Sequence, residues 1–329
     1  MSGVHVHGQA VASGQGHGKV ILLGEHSVVH GRPAIAAGLA RGSLATAEFS
    51  PEDSLTVEPW GVRVFATRPE NDADRELLRR AFNVVCESFG AAERNGRNIA
   101  VRAEMQVPSG AGLGSSAALS VAVLRAMDAV LERSRTPDAM LASSIAWERV
   151  FHGNPSGVDS AMAIGSGLAR YVRSEHGGSL SRPSLTRLNM ARPLHLVIGN
   201  SAEHGSTKLM VERVAEQLAE NPARANAIFD GIASLVASAE SALASGDHTS
   251  LGPLLDENQR FLVELRLSTD KLDGMCQLAR AAGALGAKLT GGGGGGCMLA
   301  LARDAAAAQH VSNALSAAGH AAFVVEVSA

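Results

Sequence analysis

Three stretches of the 329-residue chain collect residue types that handle phosphate, a proton or a hard cation. The first is PSGAGLGSS at 108–116. Its glycines, Gly110, Gly112 and Gly114, let the main chain adopt positive φ and approach an anion closely. Successive loop N–H groups make a concave nest, and a helix that starts just after them adds free N–H groups and a positive dipole end. Ser115 and Ser116 can cap such a helix or offer a hydroxyl to a metal ion. Taken alone, the same string is also an ordinary capped turn. The second stretch, KLTGGGGGGC at 288–297, sets six glycines between two apolar segments. There a flexible loop and a close backbone approach are both open. The third, ERVFHGNPSGVD at 148–159, carries the carboxylates Glu148 and Asp159. Out of context, the first is a solvated helix charge and the second a helix-start cap.

Two other patterns are set aside. SGQGHGKV at 13–20 imitates a Walker loop, but Ser13 replaces the first glycine and Val20 replaces the hydroxyl residue. His26 and His30 have the i, i+4 spacing of a metal pair, with no third ligand continuing that spacing. The HVH at 5–7 reads as a disordered end.

Positioning the chemistry falls to the elements between these stretches. Residues 19–23 (KVILL) read as a short buried strand, and 45–49, 55–58 and 62–67 as a meander or mixed sheet. Helical apolar spacing runs over 72–89, whereas 98–107 alternates as a strand. The first glycine loop therefore follows an alternating strand and feeds an apolar helix at 117–132. Pro137 starts another helix, running to about residue 151, and 167–172 reads as a strand. A polar stretch with two prolines, 179–193, marks a domain boundary, placed between 187 and 188. Beyond it come a strand at 195–199 and helices over 207–219, 222–245, 251–267 and 272–282. Strands at 287–289 and 298–302 flank the glycine run, and a helix at 304–318 precedes a strand at 322–327. Strands first, then helices and strands mixed, predict an α+β fold in two domains, 1–187 and 188–329.

Composition narrows the class. Glycine is 36 of 329 residues, about 11% against a usual ~7%, without the three-residue period of collagen. An apolar share of 46% with 19% charge excludes a disordered linker. A net charge of −3, scattered Lys and Arg and only 3% aromatics argue against a nucleic-acid groove. The three cysteines are far apart with no CxxC, so reduced thiols are expected rather than a disulfide frame or a zinc knuckle. No signal or transit peptide pattern and no membrane-length apolar run are evident, so the expectation is a cytoplasmic protein with no membrane partner.

PSGAGLGSSAA resembles the phosphate-binding motif of the GHMP kinases, the superfamily of galactokinase, homoserine kinase, mevalonate kinase and phosphomevalonate kinase. KLTGGGGGGC resembles the third superfamily motif, KxTGAGGGGC, with Gly292 where alanine is usual. Within the superfamily, GKVILLGEHSVVHG at 18–31 resembles the first motif of mevalonate kinases, with His17 where proline is common. ERVFHGNPSGVD is close to their signature.

The resemblance implies a ribosomal-protein-S5-like N-terminal domain and a ferredoxin-like C-terminal domain with extra helices. It implies transfer of the γ-phosphoryl of ATP to the 5-hydroxyl of mevalonate. On this reading Gly110, Ala111, Gly112, Leu113, Gly114, Ser115 and Ser116 hold the ATP phosphates. Ser116 and Glu148 match the family's Mg²⁺ ligands. Asp159 matches the aspartate that takes or orients the hydroxyl proton, and Lys19 the lysine that favours the alkoxide. Glu25, His26, Ser156 and Thr207 match positions that face the substrate, and Lys288 with Gly291–Gly296 braces the site. The family also suggests a homodimer. The rivals are a GHMP kinase for phosphomevalonate, galactose or homoserine, and a non-catalytic ATP-binding sensor.

Overall fold

The structure, a computed structural model, describes residues 5–6, 9–153, 155–173 and 184–328. His7 of the HVH tripeptide, Asn154 of the third motif and residues 179–183 of the expected boundary stretch lie outside them. The principal elements in chain order begin with β1 (Ala12–Leu23), β2 (Ala34–Ser50), β3 (Ser54–Glu58), β4 (Val62–Phe65), α1 (Ala73–Glu87) and β5 (Asn98–Met105). Next come α2 (Ser115–Val130), α3 (Pro137–His152), α4 (Val158–Ile164), β6 (Gly167–Val172), β7 (Ser184–Arg187) and β8 (Leu194–Asn200). Then follow α5 (Thr207–Glu220), α6 (Pro222–Ser245), α7 (His248–Glu264) and α8 (Asp270–Ala281). The chain closes with β9 (Gly286–Thr290), β10 (Cys297–Ala302), α9 (Ala305–Ala317) and β11 (Ala321–Val327).

These elements form two compact units, each discontinuous in sequence. The first comprises Met1–Gly18, Arg41–Pro108 and Gly114–Gly165; the second comprises Lys19–Ala40, Ser109–Leu113 and Ser166–Ala329.

In the first unit β3 and β4 form an antiparallel hairpin, β3 runs parallel to β5, and β5 pairs antiparallel with residues 43–50 of β2. Ile99, Val101, Ala103 and Met105 of β5 are buried while Arg102 and Glu104 are exposed, so alternation fixes which face turns inward. Asp72 caps α1 by accepting from the Arg75 N–H. Thr136 caps α3, with Pro137 at the first helical position. Every residue of α2 from 117 to 124 is buried, the mark of a helix enclosed on all sides. Both α3 and α4 pack against it.

In the second unit a four-stranded antiparallel sheet has the order β9-β10-β8-β11. With α5–α8 inserted as one crossover, its elements run β-α-β-β-α-β, the ferredoxin-like pattern with extra helices. Val197, Leu289, Met298 and Ala300 of the sheet meet Phe229, Ile232, Met275, Cys276, Val311 and Leu315 of the helices in one core. By length and composition α6 is apolar enough to cross a membrane. Its buried residues, Ala225, Ile228, Phe229, Ile232, Val236 and Ala239, nevertheless recur at helical spacing and mark a core-facing stripe. Residues 34–38 of β2, β6 and β7 add a smaller antiparallel ribbon. All three cysteines are free and buried, and burial pushes each thiol up to about 12.

Strand β1 starts at Ala12 rather than at residue 19, and β2 at Ala34 rather than 45. The early part of β1 reads Ser-Gly-Gln-Gly-His-Gly, with no apolar alternation to reveal a strand. Its glycines serve a close crossing. A Cβ at Gly14 would lie 2.4 Å from Ala122 O, and one at Gly16 2.0 Å from Ala118 O, both on α2.

Candidate active site

In the second unit, loop 109–113 lies against the glycine run. A Cβ at Gly112 would stand 2.7 Å from Thr290 O, and one at Gly291 would stand 2.7 Å from the Gly112 Cα. Both residues have positive φ, +80° and +88°, so a side chain is excluded by space and by conformation. The contact is sealed by main-chain bonds: Cys297 N–H donates to Ala111 O at 3.1 Å, and Lys19 N–H donates to Leu113 O at 2.9 Å. Lys19 Nζ donates to Gly112 O at 3.0 Å. The lysine that opens the apolar run is thus buried and tied to the loop, not a surface charge. Ala111 and Leu113 are buried in the core, so their side chains are not at the loop's surface.

The same strand carries a second anchor. Ile21 N–H donates to Thr290 Oγ1 at 2.9 Å. Lys288 Nζ pairs with the Glu25 carboxylate and donates to Leu289 O at 2.6 Å, both charged side chains having no solvent exposure. Asn258 of α7 donates to the other Glu25 oxygen at 3.2 Å. Burial pushes the Glu25 carboxyl up and the Lys288 ammonium down, each shift opposed by the partner's charge. Removing either would leave a buried ion uncompensated.

His26 (φ 59°) precedes the short 3₁₀ turn Ser27–His30. Its Nε2 lies 2.8 Å from Gly292 O. A carbonyl only accepts, so Nε2 carries the proton. Burial lowers the ring to about 4, leaving it neutral with a bare Nδ1 at neutral pH. Gly292 also adjoins Thr207, the first residue of α5 after its cap Ser206. A Cβ at 292 would stand 2.8 Å from Thr207 Oγ1. The glycine that replaces the usual alanine is therefore the point where His26 and Thr207 meet.

In the first unit, Ser116 Oγ donates to Glu148 Oε1 at 2.5 Å, and Trp147 Nε1 donates to Ser116 Oγ at 3.1 Å. Glu148 is only 3% exposed, so its carboxylate is no solvated helix charge. Its other oxygen lies 3.7 Å from His152 Nε2, one turn along α3. Gly114, in the left-handed region, is the N-cap of α2, and neither Ser115 nor Ser116 caps it with a side chain. Asp159 is the second residue of α4, whose cap is Gly157. Ser156 Oγ accepts from Val158 N–H at 3.4 Å just before it.

Two hard oxygen donors in contact, one anionic and nearly enclosed, fit the sparse protein share of a Mg²⁺ site, which water and phosphate oxygens complete. Among the described residues no group of three or more His, Cys, Asp or Glu gathers. Trp147 and Asn258 are not among the residues expected from the sequence. The signal for Asn258 was present, since it interrupts the buried stripe Leu251, Leu255 and Leu262 at helical spacing.

The sequence pattern of the GHMP kinases N terminal domain matches residues 76–167, and that of the GHMP kinases C terminal matches 239–321. The mevalonate kinases of Thermococcus gammatolerans and Pyrococcus furiosus are 33% and 32% identical, each over 94% of this chain and 94% of theirs. The crystal structure of L. major mevalonate kinase in complex with R-mevalonate superposes with a TM-score of 0.79 at 26% identity, over 99% of this chain and 98% of that one. Streptococcus pneumoniae phosphomevalonate kinase, in complex with phosphomevalonate and AMPPNP, shares the fold. Its TM-score is 0.76 at 19% identity, over 95% of this chain and 99% of that one.

Proposed function

The chain belongs to the GHMP kinases and, among them, to the mevalonate kinases, and from that premise we propose that it transfers the γ-phosphoryl of ATP to the 5-hydroxyl of mevalonate. The product is 5-phosphomevalonate, an intermediate of the mevalonate route to isoprenoids. The observation that carries this reading is the 33% and 32% identity to mevalonate kinases over 94% of the chain. Fold alone does not discriminate, since a phosphomevalonate kinase has it too.

Phosphoryl transfer asks a protein chiefly for alignment and charge stabilisation. The main chain of Gly110–Gly114, with Ser115, receives the phosphates of ATP. Ser116 and Glu148 would hold Mg²⁺, which neutralises charge on the phosphate oxygens. Asp159 accepts the proton of the 5-hydroxyl, and Lys19 favours the developing alkoxide. His26 offers Nδ1, and Thr207 and Ser156 offer hydroxyls, to orient mevalonate. Glu25, whose oxygens go to Lys288 and Asn258, acts from beneath by fixing the backbone next to His26.

We take 1–187 and 188–329 as the two domains of the family; the matched stretches fall on either side of that boundary. A cytoplasmic homodimer with no membrane or nucleic-acid partner completes the proposal. Phosphorus NMR of the reaction with ATP, Mg²⁺ and mevalonate tests it. A new phosphomonoester signal split by the C5 methylene protons is expected; ADP and inorganic phosphate alone would contradict it.

A further inference from the structure

Beneath the proposed metal ligands lies a second polar row that the reaction does not use. Ser120 Oγ is 2.7 Å from Ser144 Oγ, and Ser144 Oγ is 3.0 Å from Ser160 Oγ. Ser120 Oγ also reaches Ala117 O at 2.9 Å. All three side chains have no solvent exposure. Each sits on a different helix: Ser120 on α2, Ser144 on α3 and Ser160 on α4.

Their places on those helices are specific. Ser120 is one turn beyond Ser116, and Ser144 is one turn before Glu148, so each pair shares a helix face. Ser160 is the neighbour of Asp159. The row therefore joins, about one turn deeper, the three helices that carry the proposed metal ligands and the base. A lone serine in a helix that bonds its own preceding carbonyl is unremarkable, but Ser144 donates to Ser160, so the single proton of Ser120 serves either Ser144 or Ala117 O. Ser144 is different, because its hydroxyl meets side chains of two other helices. A buried hydroxyl costs free energy unless partnered, and alanine would fill these positions without that cost. Apolar contacts also let helices slide and rotate, whereas a chain of directional bonds fixes both.

We propose that Ser120, Ser144 and Ser160 are positioning residues that set the placement of Ser116, Glu148 and Asp159 for phosphoryl transfer. The inference rests on the assignment of Ser116 and Glu148 to Mg²⁺ and of Asp159 to the proton.

The test compares Ser144→Ala, the triple variant Ser120→Ala/Ser144→Ala/Ser160→Ala, and Glu148→Gln with the parent chain. For each, kcat is titrated against Mg²⁺ with ATP and mevalonate, and the thermal midpoint is recorded. Ser144→Ala should lower kcat about tenfold or more and raise the half-saturating Mg²⁺ several-fold, with the mevalonate KM within about twofold. It should also lower the midpoint, because Ser160 loses the hydroxyl that donates to it while Ser120 keeps only Ala117 O. In the triple variant no hydroxyl is stranded, so the midpoint recovers while kcat and the Mg²⁺ requirement do not. A triple variant with parental kcat and Mg²⁺ dependence overturns the proposal, and this variant decides if Ser144→Ala does not fold. Glu148→Gln separates the two failures. If it shifts the Mg²⁺ titration and the serine variants do not, the row has no positioning role. If it leaves the titration unchanged, the metal assignment fails and takes the inference with it.

Discussion

Asp159 and His26 carry the sharpest residue-scale expectations. Asp159→Asn keeps the size of the side chain and removes the base, so kcat should fall about 10²-fold or more while ATP affinity stays near the parental value. Steady-state kinetics with equilibrium ATP binding checks this, and near-parental kcat removes Asp159 from its role. His26 bears on stability. Its ring is held at about 4 in the fold against 6.5 in an unfolded chain. Between those values the unfolded state binds more protons, so stability rises with pH there and is lost as pH falls. Its contribution, about 3 kcal/mol, is fully present above pH ~6.5 and gone below ~4. His26→Asn, an exchange the positive φ tolerates, should flatten the pH dependence of the urea midpoint across that window. An unchanged profile would mean that the ring protonates in the folded protein. The neighbouring Glu25 shows what spacing alone hides. Its partner Lys288 lies 263 residues away, and no motif links the two.

Elements differed in how openly the sequence announced them. The bounds of α6, at Pro222 and Ser245, agree with the sequence expectation because proline opens it and an apolar stripe runs its length. Helix α4 escaped: seven residues, Val158–Ile164, are too few for periodicity to register. The first halves of β1 and β2 escaped because glycine and alanine fill them, and small residues carry close packing without an apolar alternation. Of the residues proposed for the reaction, the loop, Lys19, Ser116, Glu148 and Asp159 stand in motifs of the sequence. Asn258 and the serine row do not, and a polar residue on a buried helix face looks like any other until its partner helix is placed. Contact between the loop and the glycine run is itself testable. Gly112→Ala meets Thr290 O and a positive φ together, so it should lower stability by about 1–3 kcal/mol and raise the ATP KM. A variant with parental urea midpoint and ATP KM would show that the two segments do not need this contact.

At the scale of the whole molecule, the glycine surplus divides between two tasks. Part lines the apposed segments 110–114 and 291–296, where main chain meets main chain. Part lets β1 cross α2 closely at Gly14 and Gly16. Of the two readings open for the six-glycine run, a flexible loop and a close backbone approach, the contacts favour the second. Selectivity is what distinguishes a kinase for mevalonate, because the fold serves several phosphoryl acceptors. The measurement is kcat/KM by ADP release at fixed ATP and Mg²⁺ for mevalonate, phosphomevalonate, diphosphomevalonate, galactose and homoserine. Mevalonate should exceed each of the others, with turnover lost on chelating the metal; a higher kcat/KM for any of the other four would contradict the assignment.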